Sequence, residues 1–353
     1  MQPADNKADM VDDKLPTVSI IVPCFNEQET ILLLLNAIKQ QKYPISKIET
    51  IIADGRSTDR TVEVVSEFKS SNLGMSIQVV ENPKRVIPSG LNLGIKSANG
   101  EIIVRLDAHS IPEPDYLLLC VEGLENGKGD NVGGIWVIKA QNKSWQARSI
   151  AIAASHKLGI GDARYRYTNQ AQVVDTVPFG SYYRSTFDKI GLFDETLHSN
   201  EDYEFNARLR KNGGRIWLDP DIKSIYFARK TFRDLSRQYW RYGYWKAQML
   251  KRFPETIKWR QALPPLFIIS LVLFTVLSAW FFLPRIILLI EIFIYLSILG
   301  ASGIIMALNK KDPAYLFGVP ISIGIMHISW GSAFICGFLK TPKKIRLADK
   351  APC

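Results

Sequence analysis

From residue 17 to residue 108, short apolar runs alternate with amphipathic stretches, and this pattern predicts strands that alternate with helices. Four runs have the length and composition of buried strands, at residues 18–22, 48–53, 77–80 and 102–106. Three stretches between them have helical spacing, at residues 28–41, 58–69 and 89–98. The alternation predicts an α/β fold with a mostly parallel sheet that is covered by helices on both faces.

Between residues 110 and 225 the pattern becomes mixed. It predicts strands at residues 132–138, 173–177 and 215–218, and helices at residues 145–157 and 201–211. The last of these helices is followed by Gly213 and Gly214, which favour a helix end.

Two apolar stretches near the C-terminus, residues 266–283 and 286–308, are each long enough to span the ~30 Å core of a bilayer. Only Pro284 and Arg285 separate them, which predicts a tight hairpin. Glu291 lies inside the second stretch. We expect this acid to face protein rather than lipid and to pair within the membrane bundle.

A third apolar stretch, residues 314–339, is interrupted by Pro320 and four glycines. Three full crossings would place the basic C-terminal tail opposite a cytoplasmic soluble domain, although Lys and Arg tend to stay inside. Either this stretch is a re-entrant hairpin or a broken pair of helices, or the tail departs from that tendency. We expect the hairpin.

The net charge of +10 is concentrated in two blocks that flank the apolar stretches. Residues 223–261 contain eleven Lys/Arg and two acids, and residues 340–353 contain five Lys/Arg and one acid. Their position favours anionic lipid headgroups at a cytoplasmic face, and no nucleic-acid partner is expected. Tryptophans and tyrosines alternate with basic residues over residues 231–260, which predicts an interfacial helix; a surface helix of the soluble domain is the alternative.

The pattern divides the chain into five segments. They are a disordered arm (1–16), a soluble domain (17–228), interfacial helices (229–262), a transmembrane region (263–340) and a basic tail (341–353). The arm is polar and lacks the apolar core of a signal peptide. The four cysteines have no CxxC spacing and are expected to be free thiols in a reducing compartment.

Acidic residues follow two of the predicted strands. Asp107 and His109 are two residues apart, so on an extended chain both side chains could reach one hard divalent cation. The alternative is an aspartate that caps a turn beside an exposed histidine. Asp54 could accept a hydrogen bond from a nucleobase, although turns also favour Asp at this position. Both aspartates lie where parallel sheets bind ligands.

A third acid, Asp202, lies in the first turn of the helix predicted at residues 201–211. Helical spacing places it on the same face as Leu209, with Glu204 and Arg208 off that stripe. An acid on an inward helix face at a cleft is a candidate general base. The alternative is that Glu201 and Asp202 only complement the helix dipole.

In order along the chain, these segments resemble the family 2 glycosyltransferases over roughly residues 17–245. The segments that carry the resemblance are residues 18–27 (VSIIVPCFNE), 54–59 (DGRSTD), 90–94 (GLNLG), 107–109 (DAH), 179–184 (FGSYYR), 191–195 (GLFDE), 201–202 (ED) and 238–242 (QYWRY). His109 stands where the family usually has a second Asp, and Tyr242 where processive synthases have Trp. The DAH variant and the C-terminal stretches are most similar to the succinoglycan-type exopolysaccharide transferases of bacteria.

The resemblance implies a GT-A fold, which binds nucleotide-diphospho-sugars, and an inverting mechanism. Asp202 would deprotonate the acceptor hydroxyl, and Asp107 with His109 would hold Mn²⁺ or Mg²⁺ on the donor diphosphate. Asp54 would hold the nucleobase, and Arg241 would add positive charge near the pyrophosphate. The further donor-side positions are Pro23, Asn26, Glu27 and Arg85, and the acceptor-side positions are Gly180, Arg184, Glu201, Gln238 and Tyr242.

The implied partners are a nucleotide-diphospho-sugar, with UDP as the family's default, a polyprenyl-linked oligosaccharide acceptor and membrane lipids. A homo-oligomer stays open. The expected location is the bacterial inner membrane, with several spans and a cytoplasmic catalytic domain. Three rival functions remain: a polyprenyl-phosphate sugar synthase, whose ionised acceptor needs no base; a processive synthase, for which the membrane part is small; and a non-catalytic membrane scaffold.

Overall fold

The computed structural model describes residues 14–254 and 258–340. Within these ranges the chain forms two units, one of residues 14–137 and 168–226 and the other of residues 138–167 and 227–340. The soluble domain predicted at 17–228 thus includes residues 138–167, which belong to the second unit. The predicted arm is described only from residue 14, and the predicted tail at 341–353 lies outside the described residues.

A mixed sheet organises the first unit. In the described part of the chain its strands are β1 (Val18–Cys24), β2 (Ile48–Asp54), β3 (Ser76–Glu81), β4 (Ile102–Arg105), β5 (Ile111–Pro112), β6 (Asn131–Ala140), β7 (Gln172–Val173), β8 (Ser181–Tyr183) and β9 (Ile216–Ala228). Their order is β3-β2-β1-β4-β8-β6-β9-β5, with β7 paired to β9. β1 runs parallel to β2 and β4, whereas β8 runs antiparallel to β4 and β6. The predicted parallel sheet is therefore confirmed for β1 to β4.

The helices, in chain order, are α1 (Ile31–Lys39), α2 (Thr61–Ser71), α3 (Ile87–Ser97), α4 (Tyr116–Glu125), α5 (Trp145–Ala153), α6 (Lys157–Ile160), α7 (Arg184–Ile190), α8 (Glu201–Lys211), α9 (Phe232–Leu250), α10 (Leu263–Leu277), α11 (Phe282–Lys310) and α12 (Ala314–Leu339). Along the chain, α1 to α3 alternate with the parallel strands β1 to β4, as predicted. α1 begins three residues after its predicted start because residues 27–30 form a hydrogen-bonded turn. The core lies along β1, where Ile20, Ile21 and Val22 are fully buried.

Three predicted elements differ from the observed ones. The strand predicted at 215–218 is the start of β9, which continues to Ala228 because β5 and β7 both pair with it. The strand predicted at 173–177 is observed as the shorter β7, whose Gln172 and Val173 pair with Leu218 and Trp217 of β9; the Val174 N–H also donates to the Ile216 carbonyl at 3.0 Å. The helix predicted at 145–157 is divided, because the His156 side chain accepts a hydrogen bond from the Leu158 N–H and so begins α6.

The second unit contains three helices that are long and apolar enough to cross a membrane. They are Trp259–Leu277, which includes α10, Phe282–Lys310 (α11) and Ala314–Leu339 (α12). The predicted hairpin of the first two is observed, but Pro284 and Arg285 lie in the first turn of α11 rather than in the connection. A proline is tolerated there because its missing N–H would have no helical partner. Arg285 instead donates to the Ser278 carbonyl of the connection at 2.9 Å.

The hairpin predicted for residues 314–339 is wrong, because α12 is one continuous helix. Three of its glycines, Gly318, Gly331 and Gly337, lie at close helix contacts rather than at breaks. A Cβ at Gly318 would meet Ser149 of α5 at 2.0 Å, and one at Gly337 would meet the Tyr244 carbonyl of α9 at 2.7 Å. Pro320 is accommodated without a break in the helix. Small residues that let helix backbones approach are typical of membrane helix packing.

The helix predicted over residues 231–260 is observed only as far as Leu250, as α9, which packs against α12. Its Leu235 and Ala247 are buried, whereas Trp240 is exposed, so the helix is amphipathic. α9 belongs to the second unit together with α12. Its position in a headgroup layer stays a prediction.

Two smaller predictions are confirmed. Glu291 of α11 accepts a hydrogen bond from Ser270 of α10, so this acid pairs inside the helical unit. Cys24, Cys120 and Cys336 form no disulfide bond within the described residues, and Cys353 lies outside them.

Candidate active site

The loops after β1 and β2 are tied together at one edge of the sheet. Cys24 and Asp54 are register partners at the ends of these strands. Beyond them, Oδ1 of Asn26 accepts from the Thr58 N–H at 2.8 Å, and the Asn26 N–H donates to Oγ of Ser57 at 2.9 Å. Asn26 has a positive φ of 55°, a conformation that asparagine tolerates better than most residues. These bonds hold the predicted donor loops side by side.

Asp54 is buried at the end of β2, with 6% of its surface exposed. Oδ1 accepts from the Ser57 hydroxyl at 2.6 Å, and Oδ2 accepts from the Ser57 N–H at 3.0 Å. The side chain therefore performs the turn chemistry that was its alternative role. A carboxylate oxygen can accept more than one hydrogen bond, so nucleobase contact stays a prediction.

Arg105, Asp107 and His109 occupy every second position from the last residue of β4 onward. Burial alternates along this segment: these three side chains are partly exposed, while Leu106 and Ala108 between them belong to the core. Because Ala108 and His109 lie in a turn, the common direction of Asp107 and His109 toward one cation stays a prediction. This turn comprises residues 107–110 and is closed by the Ser110 N–H, which donates to the Asp107 carbonyl at 2.9 Å.

His109 is joined to Glu27 of the loop after β1. Nδ1 of His109 lies 3.1 Å from Oε1 of Glu27, which places a carboxylate where it accepts from Nδ1–H. That tautomer puts the lone pair on Nε2. A carboxylate behind a histidine is the usual arrangement around a metal-binding imidazole, because it fixes the tautomer and the ring. The donor set of Asp107 and His109 therefore suits a divalent cation.

Within residues 14–254 and 258–340, no three His, Cys, Asp or Glu side chains lie close enough to enclose a metal ion. Two protein ligands suffice for Mg²⁺ or Mn²⁺ when substrate phosphates and water complete the coordination shell. The pair of Asp107 and His109 fits that open arrangement better than a closed structural site.

Arg105, which was not among the predicted site residues, joins the two sides of the site. Its Nη2 lies 3.2 Å from Oδ1 of Asp107, and its Nη1 lies 3.0 Å from Oε1 of Glu201 in the first turn of α8. Burial alone would lower the pKa of Arg105, but Asp107, Glu201 and Asp202 raise it above its ordinary value. The only sequence signal was its position two residues before Asp107.

α8 begins and ends at the predicted residues, but its buried face differs from the predicted stripe. Glu201 is buried, and burial raises its pKa, opposed by Arg105 and assisted by Asp202. Asp202 is partly exposed. Glu204, predicted to lie off the stripe, is buried because Oε1 accepts from Nε of Arg208 at 2.6 Å. The ion pair with Arg208 compensates the charge of Glu204 and so permits its burial.

The position of Asp202 is compatible with both predicted roles, that of general base and that of a complement to the helix dipole. Its Oδ1 accepts from the Tyr203 N–H at 2.7 Å, a local contact of the helix N-terminus. The side chain remains partly exposed, as a group that meets a substrate must be. Its role as the base stays a prediction.

Other predicted positions of the first unit have structural neighbours. Gly180 has no room for a side chain, since a Cβ would meet Oδ1 of Asn131 at 2.4 Å. Arg85 has a φ of 56°, and its guanidinium lies 5.8 Å from the centre of the Phe25 ring. Pro23 lies within β1 and Arg184 begins α7.

Three predicted positions, Gln238, Arg241 and Tyr242, belong to α9 in the second unit. Nε2 of Gln238 donates to the Tyr242 hydroxyl at 3.0 Å, and the Arg241 guanidinium lies 5.9 Å from the centre of the Tyr242 ring. The three side chains therefore form one group on one helix. Their donor and acceptor roles stay predictions.

Comparison with known proteins gives a consistent result. A model of glycosyl transferase family 2 matches residues 19–191. A Methanococcus voltae protein named dolichyl N-acetyl-alpha-D-glucosaminyl phosphate 3-beta-D-2,3-diacetamido-2,3-dideoxy-beta-D-glucuronosyltransferase is 29% identical over 92% of this chain and 97% of its own length. The succinoglycan biosynthesis protein ExoA of Rhizobium meliloti is 26% identical over 92% of this chain and 96% of its own length. Glycosyltransferase AglE of Haloferax volcanii is 34% identical over 65% of this chain and 72% of its own length.

Among solved structures, the fold is similar to that of the mannosyltransferase PcManGT from Pyrobaculum calidifontis, determined with GDP-mannose and Mn²⁺. The TM-score is 0.61, with 90% of this chain and 88% of that chain covered, at 20% sequence identity. The predicted GT-A fold is confirmed by this similarity.

Proposed function

The chain belongs to glycosyl transferase family 2 and is a glycosyltransferase, as its motifs predicted, and from this premise we propose the reaction that it catalyses. It moves a sugar from a nucleotide-diphospho-sugar to a hydroxyl of a lipid-linked oligosaccharide, with inversion at the anomeric carbon. The reaction takes place at the cytoplasmic face of the plasma membrane, in the synthesis of an exopolysaccharide or a cell-surface glycan.

One observation carries the proposal: the first turn of α8 shares a charged site with Asp107. Arg105 contacts both Asp107 and Glu201, and Asp202 follows Glu201 directly. A site that combines a candidate phosphate-side acid with a partly exposed second acid has the groups that sugar transfer to a hydroxyl requires.

In the proposed step, Asp202 takes the proton of the acceptor hydroxyl as its oxygen forms a bond to the anomeric carbon. The bond from that carbon to the diphosphate breaks, and the nucleoside diphosphate leaves with the bonding electrons. Attack on the face opposite the leaving group inverts the anomeric configuration. Asp107 and His109 would hold Mn²⁺ or Mg²⁺, which when bound neutralises charge on the diphosphate.

The membrane part supports a lipid-linked acceptor. Three helices of the second unit have the length and apolar surface for a bilayer, where such an acceptor resides. The Methanococcus voltae relative bears the name of an enzyme that acts on a dolichyl-linked sugar. The nucleotide remains to be assigned: UDP is the family's default, whereas the Pyrobaculum structure holds GDP-mannose.

The proposal is tested by the release of nucleoside diphosphate from detergent-solubilised protein. A panel of UDP- and GDP-sugars is supplied with a lipid extract as acceptor source and with Mn²⁺, Mg²⁺ or EDTA. We expect release with one donor, loss of release in EDTA, and a reduction of kcat by at least about 100-fold in Asp202→Asn. Asp115→Asn, at an exposed ion pair with Lys42, is the control and should retain wild-type turnover.

The alternatives make different predictions in the same assay. A polyprenyl-phosphate sugar synthase needs no base, so full turnover by Asp202→Asn would favour that function over ours. A processive synthase would yield long products by size analysis. Retained configuration in the product, measured by NMR of the new linkage, would contradict the inverting mechanism.

A further inference from the structure

The Arg105 side chain is held as a buried connection between two elements. Only 12% of it is exposed, and its partner Glu201 is 5% exposed. Nε and Nη2 both face Oδ1 of Asp107, at 3.3 and 3.2 Å, which leaves Nη1 directed at Glu201 at 3.0 Å. Because the guanidinium is planar and rigid, the contact with Asp107 fixes the direction in which Nη1 points toward α8.

The backbone at Arg105 is equally constrained. Its N–H donates to the Gly180 carbonyl at 3.1 Å, and the next N–H, of Leu106, donates to the Ile21 carbonyl at 3.1 Å. Arg105 thus lies in β4, a central strand that is hydrogen-bonded to β1 on one side and to β8 on the other. A side chain that leaves such a strand can position a helix terminus with little play.

The charges around Arg105 also require a cation at this place. Asp107, Glu201 and Asp202 all interact electrostatically with its guanidinium. Glu201 in particular is buried, so its carboxylate would carry an uncompensated charge if Arg105 were absent. Removing one partner of a buried ion pair is much more damaging than removing both.

We propose that Arg105 is a positioning residue, which holds Glu201 and thereby the first turn of α8 so that Asp202 is aimed at the acceptor hydroxyl. This inference rests on the proposed role of Asp202 as the base. Arg105 itself does not touch the reacting atoms. Its contact with Asp107 serves to orient the guanidinium, so loss of Arg105 acts on the chemical step more than on donor binding.

The kinetic test uses Arg105→Met, which keeps the length of the side chain, and Arg105→Lys, which keeps the charge but loses the planar fork. We expect Arg105→Met to lower kcat by about 100-fold, and Arg105→Lys by about 10-fold. The dissociation constants of UDP and GDP with Mn²⁺ are measured by calorimetry, and for the nucleotide that wild type binds we expect a change below threefold. Equal losses in nucleotide binding and kcat, or unchanged kcat, would overturn the inference.

A second test separates positioning from stability. At pH 8, Arg105→Met should lower Tm by about 5 °C or more, and adding Glu201→Gln should restore most of that loss. If Arg105 positions α8, kcat stays low in the double variant although Tm recovers. Recovery of kcat together with Tm would show that Arg105 stabilises the fold and does not position Asp202.

The matched control is the other buried ion pair of α8, Glu204 with Arg208. Arg208→Met should lower Tm in the same way but leave kcat within threefold of wild type. The comparison of Tm values tests the Arg105–Glu201 connection even without turnover. A wild type that failed to release nucleotide would instead contradict the proposed function. An absence of rescue of Tm by Glu201→Gln would contradict the Arg105–Glu201 connection itself.

Discussion

Single residues of the site are organised in pairs whose members come from different elements. Asp54 is bonded to Ser57 in the same turn, but His109 is joined to Glu27 from another loop, and Arg105 to Glu201 from a helix. These partners determine what each group can do. The carboxylate of Glu27 selects the tautomer of His109, and this tautomer decides which nitrogen can bind a cation.

The pairing predicts the effect of Glu27→Gln on metal affinity. An amide is a weaker acceptor than a carboxylate for Nδ1–H, so the His109 ring loses basicity and orientation. We expect the dissociation constant of Mn²⁺, measured by electron paramagnetic resonance in the presence of nucleoside diphosphate, to rise about 10- to 100-fold. Glu29→Gln, at an exposed position on the same loop, should leave it unchanged; a similar rise in both variants would contradict the role of Glu27.

Among the elements, the parallel strands β1, β2 and β4 bring the loops of the site to one edge. Their opposite ends are joined by Glu49 of β2, which accepts hydrogen bonds from Ser19 of β1 and from the backbone N–H groups of Asn99 and Gly100 before β4. Burial alone would raise the pKa of Glu49, but these hydrogen bonds lower it below its ordinary value. The alignment of the three strands therefore depends on an ionised Glu49.

The lowered pKa gives a stability effect with a defined sign. The ionised form is favoured in the folded state, so its contribution is present above the unfolded pKa of about 4.3 and is lost as pH falls through the lowered folded pKa. We expect Glu49→Gln to reduce the free energy of unfolding by about 1–2 kcal/mol at pH 7.

Thermal unfolding of wild type and Glu49→Gln between pH 3 and pH 8 measures this difference, which should shrink below about pH 4. Glu63→Gln is the control, because Glu63 is exposed on α2 and forms an ion pair with the equally exposed Arg60. A gap between Glu49→Gln and wild type that stayed constant over the whole pH range would show that the charge of Glu49 is not involved.

At the scale of the whole molecule, one chain combines a sheet-based site with apolar helices of unequal exposure. In the most apolar part of α11 few residues are buried, whereas α12 is covered over a larger share of its length, by α9 and α5 among others. The span Trp259–Leu277 is as little covered as α11, and Glu291 is an acid within α11. One carboxylate oxygen of Glu291 is bonded to Ser270, while the other is buried with no partner among the described residues.

A buried oxygen without a partner costs stability, and such a residue in a membrane helix is a candidate for function. We expect Glu291→Leu to leave Tm unchanged or to raise it by a few degrees, about 2–4 °C per kcal/mol gained, and to lower turnover with the lipid-linked acceptor. Glu291→Gln can keep the hydrogen bond to Ser270, so its Tm and turnover should lie between those of wild type and Glu291→Leu. If Glu291→Leu changed neither Tm nor turnover, Glu291 would have no part in the bundle or in acceptor use.

Local pattern determined much of this protein. The strands β1 to β4, the bounds of α8 and the apolar hairpin all follow from side-chain periodicity within a few residues. The family motifs were also predicted from sequence, because they are short segments with a recognisable order. These features depend on neighbours along the chain, and the chain sequence contains those neighbours.

Only the tertiary structure decided how distant segments meet. Arg105 and Glu201 are 96 positions apart (201 minus 105), and Glu27 and His109 are 82 apart, so no local periodicity could pair them. The glycines of α12 have the spacing of a broken helix in sequence, yet α5 packs closely against Gly318 and α9 against Gly337, so these two mark helix contacts. Glu204 has the pattern of a surface residue, but an ion pair buries it. Charge pairing and close packing are properties of surfaces that folding brings together, and for that reason they appeared only in three dimensions.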